Sequence, residues 1–190
     1  TAAYLLPDIL DHLSTIAPDL QLEIASDNSV RDLLLREADI AIRHVRPGQP
    51  NLIAKLACEE TMRFYAVDKY LDTHGTPEQH GDMTGHQFVS FGDFERIVGY
   101  LKLVGLDLSQ KNFRYASNSQ LVEWEIARKG HAIAIKNDTI AVKFPEFQPV
   151  LTEIDPFTIP VWLVAHRELQ TSRRIRLVFD LLASAMSGRA

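Results

Sequence analysis

The sequence predicts an α/β protein made of two Rossmann-like lobes joined by two crossover strands. Three observations predict it. Residues 1–42 alternate between helical and strand periodicity in the order helix, strand, helix, strand, which is the pattern of an α/β lobe with a parallel sheet. A second series of the same kind starts near residue 70. A last strand and helix follow Pro156, so a chain that begins one lobe, builds another and returns must cross twice. The expected division is 1–68 plus 156–190 for the first lobe and 69–155 for the second.

Each element has its own signal. Leu6, Ile9/Leu10, Leu13 and Ile16/Ala17 recur at three- and four-residue spacing, giving one apolar helical stripe. Pro7 lies in the opening turns, where a missing N–H costs little, and Pro18 stops the helix. Leu20, Leu22 and Ile24 alternate with Gln21 and Glu23, the period of a half-buried strand. Ser29 and Asp32 have capping-box spacing ahead of Val30, Leu33 and Leu34. Ala38 to Ile42 reads as a short buried strand, and Arg46 to Pro50 as a loop. Leu52–Cys58 and Met62–Val67 read as two strands. Lys69-Tyr70-Leu71 opens a short helix ended by Gly75 and Pro77.

In the second series, Gln87–Phe91 and Asn112–Ala116 read as strands. Ser117-Asn118-Ser119-Gln120 opens a helix that runs through Arg128 to Gly130, with capping-box spacing between Ser117 and Gln120. Ala132–Ile135 is a compact strand. Val150–Ile154 reads as a strand leaving this unit, and the candidate crossovers lie near Phe64–Val67 and Leu151–Ile154. Val161–Val164 is the closing strand, and Ile175, Val178, Leu181/Leu182 and Ala185 mark the closing helix.

Composition narrows the function. The 190 residues are 46% hydrophobic and 24% charged, ordinary for a globular protein with a real core. A formal net charge of −5 argues against a nucleic-acid surface spread over the chain, since phosphate binding is driven by cations. One cysteine, Cys58, excludes an intrachain disulfide and reads as a buried, inert thiol on a strand. No apolar run approaches the length of a membrane span, and no charged-then-apolar leader opens the chain, which points to a cytoplasmic protein.

Catalytic motifs are not found. The seven histidines form no H-E-x-x-H pair and there is no cysteine pair, so no metal or cofactor is expected. His80 and His86 flank Asp82 in a stretch that reads as a turn, where surface or capping roles are expected. There is no nucleophile elbow, P-loop or dinucleotide fingerprint. Arg173, Arg174 and Arg176 read as a solvated helix face.

The order of segments resembles a known family. Leu5-Leu6-Pro7, the turn at Ala17-Pro18 and Leu20–Ile24 look like the opening of the effector-binding domain of LysR-type transcriptional regulators. Ala38-Asp39-Ile40-Ala41-Ile42-Arg43 resembles that family's D-[IVL]-A-[IVL]-R strand. Lys69-Tyr70-Leu71, His74-Gly75-Thr76-Pro77, Gly81-Asp82-Met83 and His86 resemble its Y-L-x-x-H-G-x-P…D-L…H stretch. Arg128–Ala134 resembles its turn into a strand, and Phe157–Arg167 with Arg173–Leu182 its closing strand and helix. The resemblance spans nearly the whole chain. It implies the periplasmic-binding-protein type II architecture, a homodimer or higher homo-oligomer, and DNA contact only through an N-terminal helix-turn-helix outside these residues. It also implies a strand before the first helix, which Thr1-Ala2-Ala3 is too short to supply. Lys136 stands where the family often has proline or an apolar residue, a difference that bears on which effector is recognised.

On that architecture the effector site is expected in the cleft between lobes. Three helices are expected to begin there, near Thr1, at Asn28-Ser29 and at Ser117-Asn118. Helix N-termini expose unpaired N–H groups and partial positive charge, which favour anions. Arg43 and Lys136 follow the carboxyl ends of two predicted strands, where open α/β sheets bind ligands, and Phe91 is the candidate apolar wall. The expected effector is a small carboxylate or other anion. Each residue also has a plainer reading. Ser29, Ser117 and Asn118 can be ordinary caps, Arg43 a structural ion-pair partner, Lys136 a solvated strand end and Phe91 a core residue. The same fold also serves transporter solute-binding proteins, which a leader peptide would mark, and enzymes, which turnover would mark.

Overall fold

The computed structural model describes residues 2–26, 38–92, 94–103 and 105–188. The chain divides into two compact units, Thr1–Glu60 with Thr158–Ala190 and Thr61–Phe157. The expected helix from Ser29 through Leu34, and the site residues Thr1, Asn28 and Ser29, lie outside the described residues.

The first unit holds α1 (Ala2–Ile16), β1 (Ile40–Arg43), the opening part of β2 (Leu52–Val67), β7 (Phe157–His166) and α6 (Arg173–Ser187). Its strands run in the order β1-β7-β2, with β1 antiparallel to β7. Ala57, Val161, Leu163 and Ala165 on the sheet pack with Phe179, Ala183 and Met186 of α6. Cys58 lies partly buried against this cluster, on a strand as expected. The α6 stripe turns inward through Val178, Phe179, Ala183 and Met186, and Arg173, Arg174 and Arg176 stay exposed. In α1, Leu5, Ile9 and Leu13 are buried. The inward stripe is therefore centred one residue before Leu6 and Leu10.

The alternation at Leu20–Ile24 does not produce a strand. Residues 20–26 join no ladder among the described residues, and Leu22 and Ile24 are 44% and 45% exposed. A period-two pattern makes a strand only when a neighbour accepts its N–H and C=O groups, and no described strand lies alongside it.

The second unit holds α2 (Asp68–His74), β3 (Val89–Phe91), α3 (Phe94–Leu103), β4 (Tyr115–Ser117), α4 (Gln120–Arg128), β5 (Ala134–Asn137), α5 (Asp138–Ala141) and β6 (Phe147–Val150), with the rest of β2. β3 pairs in parallel with β4, and Phe88 bridges in parallel to Ile133 just ahead of β5. The second half of β2 is antiparallel to β5 on one edge and to β6 on the other, so Phe64 faces both Ile135 and Val150. The two strands expected at 52–58 and 62–67 are thus one continuous strand that passes from one unit into the other. Asn112–Ala116 is not a strand throughout. Gln110–Asn112 is a 3-10 turn, and β4 starts at Tyr115. Nor is Val150–Ile154 a strand. β6 ends at Val150, and Leu151, with φ of 56°, begins a turn held by its N–H on the Pro77 carbonyl. The sequence pattern also gave no sign of α3, whose Gly99 interrupts an otherwise helical spacing of Phe94, Val98 and Leu101.

Two local devices fix this unit. Gly75 closes α2 with φ of 80° and donates its N–H to the Leu71 carbonyl at 2.8 Å, a conformation that favours glycine. Asn112 is buried and uses its whole amide. Its Nδ2 donates to the carbonyls of Met83, Thr84 and His86, each at 3.1 Å. Its Oδ1 accepts from the N–H and hydroxyl of Ser109. The side chain thus satisfies a 3-10 turn (His80–Gly85) that has no sheet to bond to. Asp82 caps the same turn by accepting from the N–H groups of Glu78 and Gln79, the capping role expected of it. His86 departs from the expected surface role. It is buried, with Nδ1 3.2 Å from the Tyr70 hydroxyl, and desolvation followed by the nearby His74 charge lowers its pKa. Replacing Asn112 by Ala is expected to cost about 3 kcal/mol in urea denaturation, because several buried backbone groups lose their partner together. A change below about 0.5 kcal/mol would show that the turn is not held this way.

Candidate site at the carboxyl ends of the parallel strands

The parallel register of the second unit brings expected site residues together. Phe91 and Ser117 are the last residues of β3 and β4, and they are direct partners. Ser117 and Phe91 therefore sit at one level at the carboxyl ends of β3 and β4, Asn118 follows Ser117 directly, and Lys136 is the penultimate residue of β5. Just ahead of β3, Phe88 makes an isolated parallel bridge to Ile133, three residues before Lys136. The chain turns sharply after β3 at Gly92, φ 74°, whose N–H donates to the Ser117 carbonyl at 2.9 Å.

The capping expectation needs correction. Ser117 and Gln120 do not form a capping box. The residue before α4 is Ser119, whose side chain makes no capping bond. The Ser117 hydroxyl instead accepts from the Ser119 N–H at 3.0 Å, a local turn that shapes the entry to α4.

Lys136 is not a solvated strand end. It is 5% exposed, and its Nζ lies 5.4 Å from the ring centroid of Trp124 on α4. Trp124 is fully buried, stacked on Phe147 at 3.8 Å and edge-on to Tyr65 and Phe144. Cross-strand pairing places Arg63 opposite Lys136 and Tyr65 opposite Ala134, so all four lie on the sheet face that α4 covers. The Arg63 Nε donates to Asp138 Oδ2 at 2.9 Å, and the Tyr65 hydroxyl donates to Asp138 Oδ1 at 2.7 Å. Burial, then the hydrogen bond to Asp138, raises the Tyr65 pKa, so the phenol remains a donor.

Sequence reasoning did not find Glu123. It sits beside Trp124 on the inward side of α4 and is 5% exposed. Desolvation pushes its pKa up to about 7, against the opposing pull of Lys136. The available signal was positional. Glu123 shares with Trp124 and Ala127 the i, i+1, i+4 spacing of a buried stripe, where a lone carboxylate calls for a cation. Arg43, in the first unit, is the last residue of β1 and pairs across the sheet with Trp162.

Known proteins match this arrangement of elements. Residues 1–187 match the model of the LysR substrate binding domain. The chain belongs to this family. A LysR substrate-binding domain is a regulatory module and not an enzyme. The transcriptional regulator CrgA of Neisseria meningitidis is 31% identical over 74 residues, 39% of this chain and 25% of that protein. The match thus spans a quarter of the length of that curated relative. The solved regulatory domain of CrgA superposes with a TM-score of 0.85 at 21% identity, covering 97% of this chain and 93% of that one. The AmpR effector binding domain from Citrobacter freundii gives 0.77 at 14% identity, covering 97% and 92%. Among the described residues, no helix of this LysR domain is long and apolar enough to cross a membrane, and no group of three or more metal-ligating side chains is present.

The buried carboxyl makes a signed prediction. Glu123 takes up a proton more readily in the folded chain than in the unfolded one. Its favourable contribution is complete below the usual carboxylate range and is lost as pH rises through about 7. Thermal melting should therefore fall between about pH 5 and pH 8, and Glu123→Gln should flatten that slope. An unchanged slope in the variant would assign the pH dependence elsewhere.

Proposed function

We propose that this LysR substrate-binding domain senses a small anionic metabolite, a carboxylate in the first instance. The finer architecture implied by the family, two lobes of the periplasmic-binding-protein type II kind, is supported by the division into two units and by the chain's two passages between them, the first along β2. The observation that carries the reading is the pairing of Phe91 with Ser117 at the carboxyl ends of β3 and β4, with Lys136 buried near the carboxyl end of β5. In open α/β sheets that edge is where ligands bind. Ser117 and Asn118 supply hydroxyl and amide groups, and the N-terminus of α4 supplies backbone N–H groups. Lys136 contributes positive charge from inside the fold, where low dielectric strengthens it. Arg43, at the carboxyl end of β1, is a proposed effector-binding residue of the first unit. Thr1, Asn28 and Ser29 complete the proposed set, and they lie outside the described residues.

The domain acts through a homodimer or higher homo-oligomer in the cytoplasm, and passes the bound state to an N-terminal helix-turn-helix that contacts DNA. Exposed Leu121 and Val122 on α4, and the outer side of α1, are the surfaces proposed to meet a second copy. The domain itself has no use for a cofactor, because sensing requires binding and release only.

Titrating carboxylates, amino acids and phosphate against a thermal melt tests the reading. A bound anion at about one hundred times its Kd adds about 2.7 kcal/mol of stability, an upward shift of a few degrees. The absence of any shift across the panel would overturn the anion reading. Light scattering at micromolar protein should give a dimer mass, and Leu121→Glu should shift it toward a monomer.

A further inference from the structure

The first turn of α4 is built inside out. Leu121 and Val122 are 46% and 50% exposed, while Glu123, the next residue, is 5% exposed. An amphipathic helix normally turns its apolar residues to the core and its charges to water. Here the carboxyl goes inward with Trp124 and Ala127, and the two aliphatic side chains face out. The turn is closed by the Glu123 N–H on the Ser119 carbonyl at 3.0 Å, and Ser119 adds no side-chain cap. A helix start without a cap bond opens at lower cost than one that has it.

The charges around the carboxyl are few. α4 lies against β3, β4 and β5. β3 carries no titratable side chain, β4 carries Tyr115, over whose ring Arg114 lies, and β5 carries Lys136. On β2, the neighbour of β5, Arg63 and Tyr65 are both committed to Asp138. On α4 itself, Glu125 and Arg128 pair with each other on the exposed side. Lys136 is thus the interior cation nearest in role to a counter-ion, and its Nζ is also engaged with the Trp124 ring. Desolvation favours the protonated carboxyl, while Lys136, and more weakly the chain's amino group, favour the ionised one. The start of a helix adds a pull toward the anion as well. Desolvation prevails, and Glu123 titrates at about 7, far above an exposed carboxylate.

We propose that Glu123 is a proton-operated latch on the start of α4, closed when the carboxyl is protonated and released when it ionises and turns out to water. The proton is exchanged with solvent, and no other bond changes. Leu121 and Val122 ride on the same turn, so the latch also sets how fully their surface is formed. That consequence rests on the reading that these residues meet a second copy. The closed turn binds the proton more tightly than the open one. Closure is therefore strongest below the usual carboxylate range, weakens as pH rises, and is weakest above about 7.

Amide hydrogen exchange between pH 5 and pH 8, expressed as protection relative to unstructured chain, tests the latch. Protection at Glu123 and Trp124 should fall by about tenfold or more over that range. At pH 8 it should lie about tenfold or more below that of the β2–β5 ladder, the mark of a local opening. Glu123→Gln, close in shape and without the charge, should abolish the fall. Lys136→Met removes a pull toward the ionised form, so its fall should continue above pH 7; circular dichroism checks that both variants fold. Protection that ignores pH, an equal fall in Glu123→Gln, or equal protection of α4 and the ladder at pH 8 would overturn the proposal. Light scattering on the same samples should show dimer mass lost at pH 8 in the wild type and kept in Glu123→Gln. A mass that ignores pH while exchange shows the opening would strike the Leu121–Val122 surface reading and leave the latch standing.

Discussion

Strand β2 is the constraint on which the rest of the structure depends. Its sixteen residues begin in the first unit and end in the second, so the backbone hydrogen bonds of both must be satisfied along one extended segment. In the first unit β7 supplies its partner. In the second, β5 and β6 take both edges, and Phe64, Tyr65, Ala66 and Val67 are consequently buried one after another. A strand paired on both sides and covered on both faces has no freedom of register, because a one-residue slip would exchange its two faces. That fixed register places Arg63 opposite Lys136, and so decides which charges share a face.

The electrostatics of the second unit derive from that placement. A lysine and a glutamate, both almost wholly inside the fold, would each be costly alone. Trp124 gives the lysine a π-face, and Lys136 partly offsets the desolvation of Glu123. Arg63 and Asp138 are more exposed and contribute less, since such pairs are usually worth under about 1 kcal/mol. In the first unit an exposed guanidinium, that of Arg46, lies over the Trp162 indole.

Much of this was legible in the sequence because it rests on local chemistry. Gly75 was expected to end a helix and does so with a positive φ, which the neighbouring residue types could adopt only with strain. The apolar stripe of α6 came from period, but the parallel sheet expected of the first lobe did not form among its described strands, where β1 is antiparallel to β7, and the parallel pair β3–β4 lies in the second unit instead. The misreadings have one cause. Leu20–Ile24 has the pattern of a strand, but pairing depends on a neighbour that its own residues do not specify. Val150–Ile154 was apolar enough to read as a strand, yet Leu151 turns the chain because Pro77, far away in sequence, accepts its N–H. Lys136 read as a lone cation because its partners lie on α4, outside any local window.

The sequence by itself determined the α/β fold class and the family, since these depend on periodicity, turn chemistry and segment order. Only the tertiary structure decided that Lys136 is interior, that Glu123 is its neighbour, and that Arg46 lies over Trp162, the strand partner of Arg43. Those facts depend on register between strands and on which helix covers which face. Register is set by summed backbone pairing and side-chain packing across residues far apart in the chain, and no local pattern encodes such a sum.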